Sequence, residues 1–409
     1  MELIYLSALS SERLINEIYN NTKNNPGFAV QKFSRLLVKG LLKNDINCVS
    51  LSVPPITRDH NRKSWISLKN EFENGVEYRY IPFINFPILK QFSVFIYSFF
   101  YILAWGMKNR ADKAIVCDVL CVSSSISALI ASKICGVKSV AVVTDIYSQM
   151  VGEKSSGAKA LISKFAGGLN SRYVRSFSKY VLLTEAMNEV VNPKGRPYVV
   201  MEALCDSDLV NAGMLESVKT CPKVLVYAGG LEEQYGIKML VEAFKKLPHQ
   251  DVELHIYGNG SYVDELKQEA DTDKRIMYLG VVSNEKIVEA ELKATLLINP
   301  RFTTEEFTKY SFPSKNMEYM VSGTPLLTTK LPGMPVEYYP YVYLFDEETV
   351  DGYSQSISNV LSKTDDELKH LGMKARDFVL KKKNNVLQAK KIIDLINFIE
   401  KSLLRHYKI

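Results

Sequence analysis

Short apolar segments alternate with helical patterns along the first half of the chain. The segments LIYLSAL, CVSLSV, KAIVCDVL and KSVAVVTDI have the length and β-branched content of buried strands, whereas FAVQKFSRLLVKGLL and ISALIASKICG have helical spacing. An amphipathic stretch at 158–177 and the strand-like YVLLT at 180–184 continue the series. Strands that alternate with helices in this way predict a parallel sheet.

A second series of the same kind begins near residue 223. The segments KVLVYAGG, VELHIYGNG, IMYLGVV, TLLINPR and PLLTT are typical of strands, and GIKMLVEAFKKL, YVDELKQEA, EKIVEAELKA and SKNMEYMVSG are typical of helices. The strands end in Gly, Asn or a small loop, so ligand-binding loops are expected at the carboxyl edge of the sheet. The predicted fold class is α/β, with two Rossmann-like domains and a cleft between them.

The two series also predict the domain boundaries. A length of 409 residues exceeds one ordinary core and fits two α/β domains of about 200 residues each. Because a seam at 193–208, followed by a polar stretch and Pro222, separates the two series, the first domain is predicted to span 1–200 and the second 201–385. The Lys-rich helical segment 386–409 is predicted to pack back on the first domain.

The most apolar stretch is QFSVFIYSFFYILAWGM, residues 91–107. At about 1.5 Å per residue it reaches only about 25 Å, less than the roughly 30 Å hydrocarbon core of a bilayer. Three polar residues, Gln91, Ser93 and Ser98, interrupt it. A membrane-spanning helix is therefore not expected. A buried helix and a helix that dips into the membrane face both remain open.

Composition narrows the class of protein. Hydrophobic residues make up 46% of the chain and charged residues 23%, which excludes disordered and fibrous classes. Glu2 stands where a signal peptide would carry positive charge, so we expect a cytoplasmic protein. The six cysteines form no CxxC pair and have no histidine at zinc spacing, and reduced thiols are expected.

Charge is distributed unevenly between the two halves. The segment 1–200 is strongly basic, and the remainder is acidic. A basic half suggests an anionic partner, and nucleic acid, anionic lipid or a phosphorylated acceptor would each satisfy it. A basic surface that is merely solvated explains the pattern equally well.

The strongest group of candidate residues is FPSKNMEYMVSGTP, Phe312–Pro325. Pro313 suits a helix start, and Ser314 is then a plausible cap. The free amides of such a first turn form an anion site suited to a diphosphate, and Lys315 adds positive charge. Glu318 follows one turn later and can accept hydrogen bonds from a ribose diol.

These residues and several other segments resemble the GT-B glycosyltransferases of family 4, especially bacterial capsular, exopolysaccharide and lipopolysaccharide enzymes. The resemblance is carried by NPGFAVQKF, VVTDI, LLTEAM, VLVYAGGLEEQYGIKMLVEAF, IYGNGSYVDEL, YLGVVSNEKI, NPR, YSFPSKNMEYMVSGTP and KLPGMPVEYY. It implies an acceptor-binding first domain and a nucleotide-sugar-binding second domain. It also implies retention of configuration at the sugar carbon and no metal or other cofactor.

The chain departs from the family pattern at three positions. Glu318 matches the second carboxylate of the Glu-x7-Glu motif, but Tyr310 stands at the first. Where relatives carry an arginine and, five residues later, a lysine that hold the diphosphate, this chain has Gly230 and Tyr235. We expect Arg301, Lys315 and the helix amides at 314–316 to replace these two cations.

The candidate site follows from these matches. The nucleotide-sugar site is predicted at Gly229, Gly230, Gly258, Val282, Tyr310, Ser311, Ser314, Lys315 and Glu318. The acceptor is predicted to meet Gly27, Phe28 and Asp145, and the catalytic residues are predicted to be Asp145, Arg301 and Lys315. Each of Gly258 and Gly27 can equally be an ordinary turn, and Asp145 can equally cap the loop after its strand.

The predicted reaction is transfer of a hexose or N-acetylhexosamine from a nucleotide sugar, with UDP favoured, to a lipid-linked or oligosaccharide acceptor. Peripheral contact with an anionic membrane at the inner face of the cell membrane is expected, and nucleic acid is not. A non-catalytic binding or partner subunit is the main alternative, because two cations and a carboxylate are missing. A sugar-nucleotide epimerase fits less well, because it would need a carboxylate and a histidine together at its cleft and the five histidines are scattered along the chain. A dinucleotide oxidoreductase fits less well because the chain reads LSALSSERL at the first strand rather than GxGxxG.

Overall fold

The computed structural model describes residues 1–22, 27–108, 112–146, 172–210 and 222–398. The chain forms two compact units, Met1–Leu204 with Asn385–Ile409 and Cys205–Asn384. The sequence pattern predicted divisions after residues 200 and 385. Of the features predicted above, Asn25, Pro26, Cys221, the stretch 158–171 and the segment 399–409 lie outside the described residues.

The first unit is built on an eight-stranded sheet with the order β10-β9-β8-β7-β1-β2-β5-β4. Every pairing is parallel except that of β4 with β5. A small antiparallel pair, β3 with β6, completes the strands of this unit. The strands are β1 (Glu2–Ser7), β2 (Asn47–Ser52), β3 (Trp65–Ile66), β4 (Glu71–Glu73), β5 (Val76–Tyr80), β6 (Phe83–Ile84), β7 (Lys113–Asp118), β8 (Lys138–Val143), β9 (Lys179–Leu182) and β10 (Tyr198–Val200).

Helices follow the strands of the first unit in the expected alternation. They are α1 (Glu12–Thr22), α2 (Phe28–Lys43), α3 (Pro87–Met107), α4 (Val122–Cys135) and α5 (Ala186–Val191). The residues of β7 are all buried, as are those of β8 after its first residue. Such continuous burial is what a parallel strand covered on both faces requires, and it explains the near-continuous apolar runs of the sequence.

The second unit carries a six-stranded, wholly parallel sheet with the order β13-β12-β11-β14-β15-β16. Its strands are β11 (Lys223–Ala228), β12 (Val252–Tyr257), β13 (Ile276–Gly280), β14 (Leu296–Asn299), β15 (Leu326–Thr328) and β16 (Tyr343–Leu344). Its helices are α6 (Ile237–Lys245), α7 (Val263–Thr272), α8 (Asn284–Lys293), α9 (Ser314–Ser322), α10 (Val350–Leu361) and α11 (Asp365–Lys382). Short 3-10 helices lie at Ser207–Val210, Glu233–Tyr235, Glu306–Lys309 and Val336–Tyr341.

The last described helix, α12 (Asn385–Asn397), belongs to the first unit. Its first residue, Asn385, packs closely against Gly40 of α2. A Cβ atom on Gly40 would lie 2.1 Å from the Asn385 carbonyl oxygen. The Asn385 amide donates to the Leu36 carbonyl at 3.0 Å, and the Asn44 amide donates to the Val386 carbonyl at 2.9 Å. The chain therefore returns to the first unit, as the sequence predicted.

Helix α3 is longer than the apolar stretch that predicted it. It begins at Pro87 and has 21 residues, so at about 1.5 Å per residue it reaches about 31 Å. Among the described residues, α3 is one helix that is long and apolar enough to cross a membrane, judged by length and composition only. The expectation that it is too short was wrong, because Pro87 supplies a helix start four residues before Gln91.

Candidate functional site

Three loops meet at the carboxyl edge of the second sheet. Gly258, after β12, adopts φ +136°, and a Cβ there would lie 1.8 Å from the carbonyl oxygen of Gly229 after β11. The Gly258 amide donates to the Gly280 carbonyl at the end of β13, at 2.9 Å. Only glycine permits this approach and this φ value. Gly229 and Gly258 are thus brought together at the predicted edge.

Helix α9 begins at Ser314 beside these loops. Its N-cap residue is Pro313, and no side chain caps it, so the prediction that Ser314 caps this helix was wrong. The Asn316 amide donates to the Pro313 carbonyl at 2.9 Å and is therefore already engaged. Only the first-turn amides of Ser314 and Lys315 remain for an anion, which narrows the predicted set at 314–316.

A buried amide network fixes the start of this helix on the sheet. Asn299, at the end of β14, donates from its side-chain nitrogen to the Asn316 Oδ1 at 2.6 Å. The Asn316 nitrogen in turn lies 3.4 Å from the Thr328 Oγ1 at the end of β15. All three side chains are buried. Sequence reasoning missed Asn316, although a polar residue on the core-facing side of an amphipathic helix is the signal for such a network.

Two predicted site residues on α9 pair with each other. The Lys315 Nζ lies 2.6 Å from the Glu318 Oε2, with about a third and a quarter of the two side chains exposed. This is an i,i+3 pair within one helix face. The carboxylate expected to hold a ribose and the cation expected near a diphosphate therefore occupy adjacent positions.

Arg301 lies against two aromatic rings that contact each other. Its guanidinium carbon is 4.8 Å from the ring centroid of Tyr235 and 5.8 Å from that of Phe307. The two rings pack edge to face at 6.0 Å. The Arg301 carbonyl accepts a hydrogen bond from the Thr329 hydroxyl at 2.6 Å, so its backbone is held as well. Tyr235 occupies the position where the resemblance places a lysine, and here it orients an arginine instead.

Arg301 also lies close to the loop after β11. Burial raises the pKa of Tyr227, and the positive charge of Arg301 partly offsets that rise. The Tyr227 hydroxyl donates to the Gly230 carbonyl at 2.6 Å. The Arg301 charge is thus placed near the glycine pair where relatives carry their arginine.

The loop before α9 is held by its own contacts. Tyr310 ends a 3-10 helix and donates from its amide to the Phe307 carbonyl at 3.0 Å, and the Ser311 hydroxyl donates to the same carbonyl at 3.1 Å. A Cβ on Gly333 would lie 2.4 Å from the Ser311 carbonyl oxygen, so a second loop packs against it. Tyr310 is half-buried, and the Ser311 hydroxyl is engaged in holding the loop.

Tyr319 is a further residue that sequence reasoning missed. The Ala228 amide donates to its hydroxyl at 2.8 Å, which fixes the last residue of β11 just before Gly229. Val282 follows β13 and lies next to Val281, which is 72% exposed. The Tyr319 hydroxyl and Val282 therefore also lie at the carboxyl edge of the second sheet.

The predicted acceptor residues lie in the first unit. Gly27 adopts φ +81° as the N-cap of α2, and Phe28 packs edge to face on Tyr19 with ring centroids 5.4 Å apart. Asp145 follows β8, and burial raises its pKa. Asp118, at the end of the neighbouring β7, is buried, and sequence reasoning missed it.

Asp118 and Asp145 are electrostatically coupled. Burial raises the pKa of Asp118 to about 6, a hydrogen bond from the Leu120 amide opposes this rise, and the negative charge of Asp145 adds to it. The Leu120 amide lies 3.0 Å from the Asp118 Oδ1. The sequence signal for this pair was an aspartate at the end of each of two adjacent parallel strands, since Asp118 ends β7 and Asp145 follows β8.

Two Asp-x-Asp triplets, a pattern that can bind a metal ion, occur in the second unit. Asp273 of the triplet at 271–273 precedes β13, at the amino edge of the sheet, and forms an ion pair with Arg275 at 2.7 Å. In the triplet at 206–208, the Asp208 amide donates to the Asp206 Oδ1 at 3.0 Å. Among the described residues, no three His, Cys, Asp or Glu side chains are grouped to hold a metal ion.

Comparisons with known proteins agree with this architecture. Residues 216–378 match the family model described as glycosyl transferases group 1. Sucrose-phosphate synthase from Thermosynechococcus elongatus is similar, with 13% identity, coverage of 97% of this chain and 98% of that chain, and a TM-score of 0.63. HepE from Anabaena, in complex with UDP, gives 15% identity, coverage of 97% and 100%, and a TM-score of 0.60.

A TarM mutant from S. aureus, in complex with Fondaparinux, alpha-GlcNAc-glycerol and UDP, is also similar. It gives 12% identity, coverage of 97% of this chain and 100% of that chain, and a TM-score of 0.62. A comparison with curated proteins gives no match.

The shared fold over nearly the whole chain defines the GT-B class. The family match over 216–378 adds the activity, and the protein is a GT-B glycosyltransferase. The fold class and enzyme class predicted from the sequence are confirmed.

Proposed function

We propose that this glycosyltransferase moves a hexose or N-acetylhexosamine from a UDP-sugar to a saccharide acceptor, with retention of configuration and without a metal ion. The observation that carries the proposal is the position of Arg301, whose guanidinium lies against the rings of Tyr235 and Phe307 near the glycine loop after β11. It supplies a fixed positive charge at the sheet edge where the resemblance to family 4 places the donor diphosphate.

The reaction needs that charge because the leaving diphosphate becomes more negative in the transition state. The bond from the sugar carbon to the phosphate oxygen breaks while the bond to the acceptor oxygen forms on the same face. The acceptor proton passes to the departing phosphate oxygen, which leaves the protein to position the reactants and stabilise charge. Arg301, Lys315 and the amides of Ser314 and Lys315 are the groups proposed to do so.

Glu318 is proposed to bind the donor ribose. Its Oε2 pairs with Lys315 at 2.6 Å, so the carboxylate is held in place by that pair. A uridine nucleotide is favoured because HepE and the TarM mutant, which share the fold, are complexes with UDP. Gly258 and Val282 are proposed to lie beneath the nucleoside.

The acceptor side of the proposal rests on the first unit. Asp145, with its raised pKa, is proposed to bind an acceptor hydroxyl, beside Gly27 and Phe28. We propose a lipid-linked saccharide of bacterial surface polysaccharide synthesis as acceptor, and a cytoplasmic enzyme at the inner face of the cell membrane. The basic first half and the apolar helix α3 support that location.

Donor binding and turnover test this proposal. Purified protein is incubated with UDP-sugars and GDP-sugars, with and without a chelator, and both donor affinity and release of nucleoside diphosphate are measured. UDP-sugar binding with chelator-resistant release is expected, and NMR of the product should show the donor's anomeric configuration. Loss of activity in chelator contradicts the metal-free route, and an inverted product contradicts retention.

A non-catalytic binding subunit remains the second candidate, because Gly230, Tyr235 and Tyr310 stand where relatives carry two cations and a carboxylate. The same experiment separates the two functions. Tight UDP-sugar binding without any release, across a panel of saccharide acceptors, would favour the binding subunit.

A further inference from the structure

Helix α3 presents an apolar stripe to solvent. Ile88, Phe92, Ile96 and Phe100 recur at four-residue steps and are 72%, 64%, 54% and 62% exposed. Residues at this spacing lie on one face of a helix. The stripe therefore forms a continuous row of large apolar side chains that nothing in the described part of the chain covers.

Three polar side chains of this helix are hydrogen-bonded to the rest of the domain. Lys90, the only charged residue of α3, donates from its Nζ to the Ile56 carbonyl at 2.9 Å. Gln91 accepts a hydrogen bond from the Ser123 hydroxyl at 2.5 Å, and Ser93 is likewise bonded to the protein backbone. The exposed stripe consequently has no charge along its length.

A groove adjoins the stripe and is also apolar. It has a volume of about 460 Å³, and apart from Ser93 its lining is apolar or aromatic: Trp65, Pro82, Ile96, Tyr97, Phe100 and Tyr101. Trp65 is 54% exposed. Aromatic side chains with a polar tip favour the boundary between hydrocarbon and water.

A basic loop lies at the amino end of the helix. The exposed side chains of Arg58, Arg62 and Lys63 share this loop with one acid, Asp59. Among the described residues, none of the three cations forms an ion pair with an acid. Arg58 stacks on Phe86, the residue before the helix, with 4.5 Å from its guanidinium carbon to the ring centroid.

The loop and the helix are held together rigidly. The Asn85 side chain donates to the Asn61 carbonyl at 2.6 Å, and Trp65 pairs with Ile84 in the β3–β6 ladder. The cations are therefore fixed beside the start of the apolar stripe. Apolar side chains next to unpaired cations match the two layers of an anionic lipid surface.

We propose that this docking face, formed by Ile88, Phe92, Ile96, Phe100, Arg58, Arg62 and Lys63, binds the surface of an anionic lipid bilayer. The stripe enters the boundary between headgroups and hydrocarbon, and the three cations contact the headgroups. This inference rests on the proposed function and names a partner for it. A lipid-linked acceptor would be presented at the surface of the bilayer that the docking face binds.

The helix lies along the bilayer rather than across it. Its opposite face is packed on the domain through Val94, Ser98 and Ile102, which are buried. Arg79 donates to the Tyr101 hydroxyl at 2.6 Å, and Gly106 packs against Cys135 of α4. Crossing the membrane would require all of these contacts to break.

Vesicle binding tests the docking face. Full-length protein is sedimented with phosphatidylcholine vesicles that contain or lack phosphatidylglycerol, at low and high salt. Binding to the anionic vesicles is expected. The Phe92→Ser/Ile96→Ser/Phe100→Ser variant should bind them at least about tenfold more weakly. The Arg58→Gln/Arg62→Gln/Lys63→Gln variant should lose the preference for anionic vesicles and its salt dependence.

Two matched controls accompany these variants. Val336, 75% exposed on the second unit, is changed to Ser, and Lys369 with Lys374, on α11, are changed to Gln. Both controls should bind vesicles like the parent. UDP affinity should be unchanged in all variants, so failure of vesicle binding is distinguished from failure of the proposed activity.

Tryptophan fluorescence gives a second readout. The chain has two tryptophans, Trp65 in the groove and Trp105. Anionic vesicles should shift the emission to the blue in the parent and much less in Trp65→Phe. Vesicle binding by the triple serine variant equal to that of the parent overturns the proposal. The proposal is also overturned if the parent forms a dimer in the absence of vesicles and the triple serine variant does not, because the stripe would then bind a second copy of the chain.

Discussion

The guanidinium carbon of Arg301 lies 4.8 Å from the ring centroid of Tyr235, the residue that replaces a lysine of the family pattern. Tyr235 contributes no positive charge, yet its ring contacts Arg301, a cation that follows strand β14. A cation from a second position of the chain thus lies beside the residue that replaces the lysine, and we propose that it acts as an electrostatic clamp on the donor diphosphate.

Substitution of Arg301 tests that relationship. Arg301→Ala should weaken UDP binding by about tenfold to a hundredfold, the effect of losing a hydrogen bond to a charged group worth about 1.5–3 kcal/mol. Uridine binding should hardly change, because no phosphate is present. Isothermal titration with both ligands measures the difference. In Tyr235→Lys/Arg301→Ala the new lysine should recover part of the UDP affinity, and equal loss in single and double variants would contradict the clamp.

Substitution of Glu318, unlike that of Arg301, should affect both ligands. Glu318→Ala should weaken UDP and uridine binding alike, by about tenfold, because a carboxylate that binds ribose acts on both ligands. Circular dichroism should show an intact fold, since an i,i+3 pair on a helix surface contributes only about 0.2–0.5 kcal/mol. Lys315→Ala serves for comparison and should weaken the binding of UDP more than that of uridine, because it removes a positive charge proposed to lie near the diphosphate. An unchanged dissociation constant for Glu318→Ala removes it from the site.

Asn316 should matter for stability. Asn316→Ala leaves the buried Asn299 amide without its acceptor, and the free energy of unfolding should fall by about 1–3 kcal/mol. Asn359→Ala removes an exposed amide that accepts from Gln355, and should change the free energy by less than about 0.5 kcal/mol. Urea unfolding of both variants gives the comparison. Equal stability of the Asn316 variant and the parent would show that the network is dispensable.

Asp118 predicts a pH dependence. Its pKa is about 6 in the folded chain against an ordinary value of 3.8, so the native state keeps a proton that the unfolded state has lost between those values. Its contribution to stability therefore falls as pH rises from about 4 to about 6, and stays lower above. Asp118→Asn removes this penalty, so it should stabilise the protein by up to about 2–3 kcal/mol near pH 7.5 and change little near pH 4.

Calorimetric unfolding near these two pH values measures the effect. The side-chain amide oxygen that the Asp118→Asn substitution introduces is expected to retain the hydrogen bond from the Leu120 amide, so packing is not the variable. Asp59→Asn, at an exposed loop position, is the control and should leave the stability of the protein unchanged at both pH values. Stabilisation that is the same at high and low pH would mean that the carboxyl group of Asp118 does not titrate as described.

The sequence by itself determined which strands and helices form and the sheet edge on which the glycine-bearing loops lie. These follow from apolar periodicity and glycine placement, which are local properties of the chain. It also placed a helix start at Pro313. It did not identify the residue that caps α9, because the N-cap is fixed by backbone geometry that Pro and Ser can both adopt.

Only the tertiary structure decided what surrounds the site residues. Arg301 and Tyr235 lie far apart in the chain, and their contact depends on β11 and β14 pairing in parallel. The partners of the buried Asn316 and Asp118 likewise come from distant segments, so the sequence pattern can indicate that these residues are buried but not which groups they meet. Local pattern fixes which elements form, whereas packing between them fixes which charges meet and how their pKa values shift.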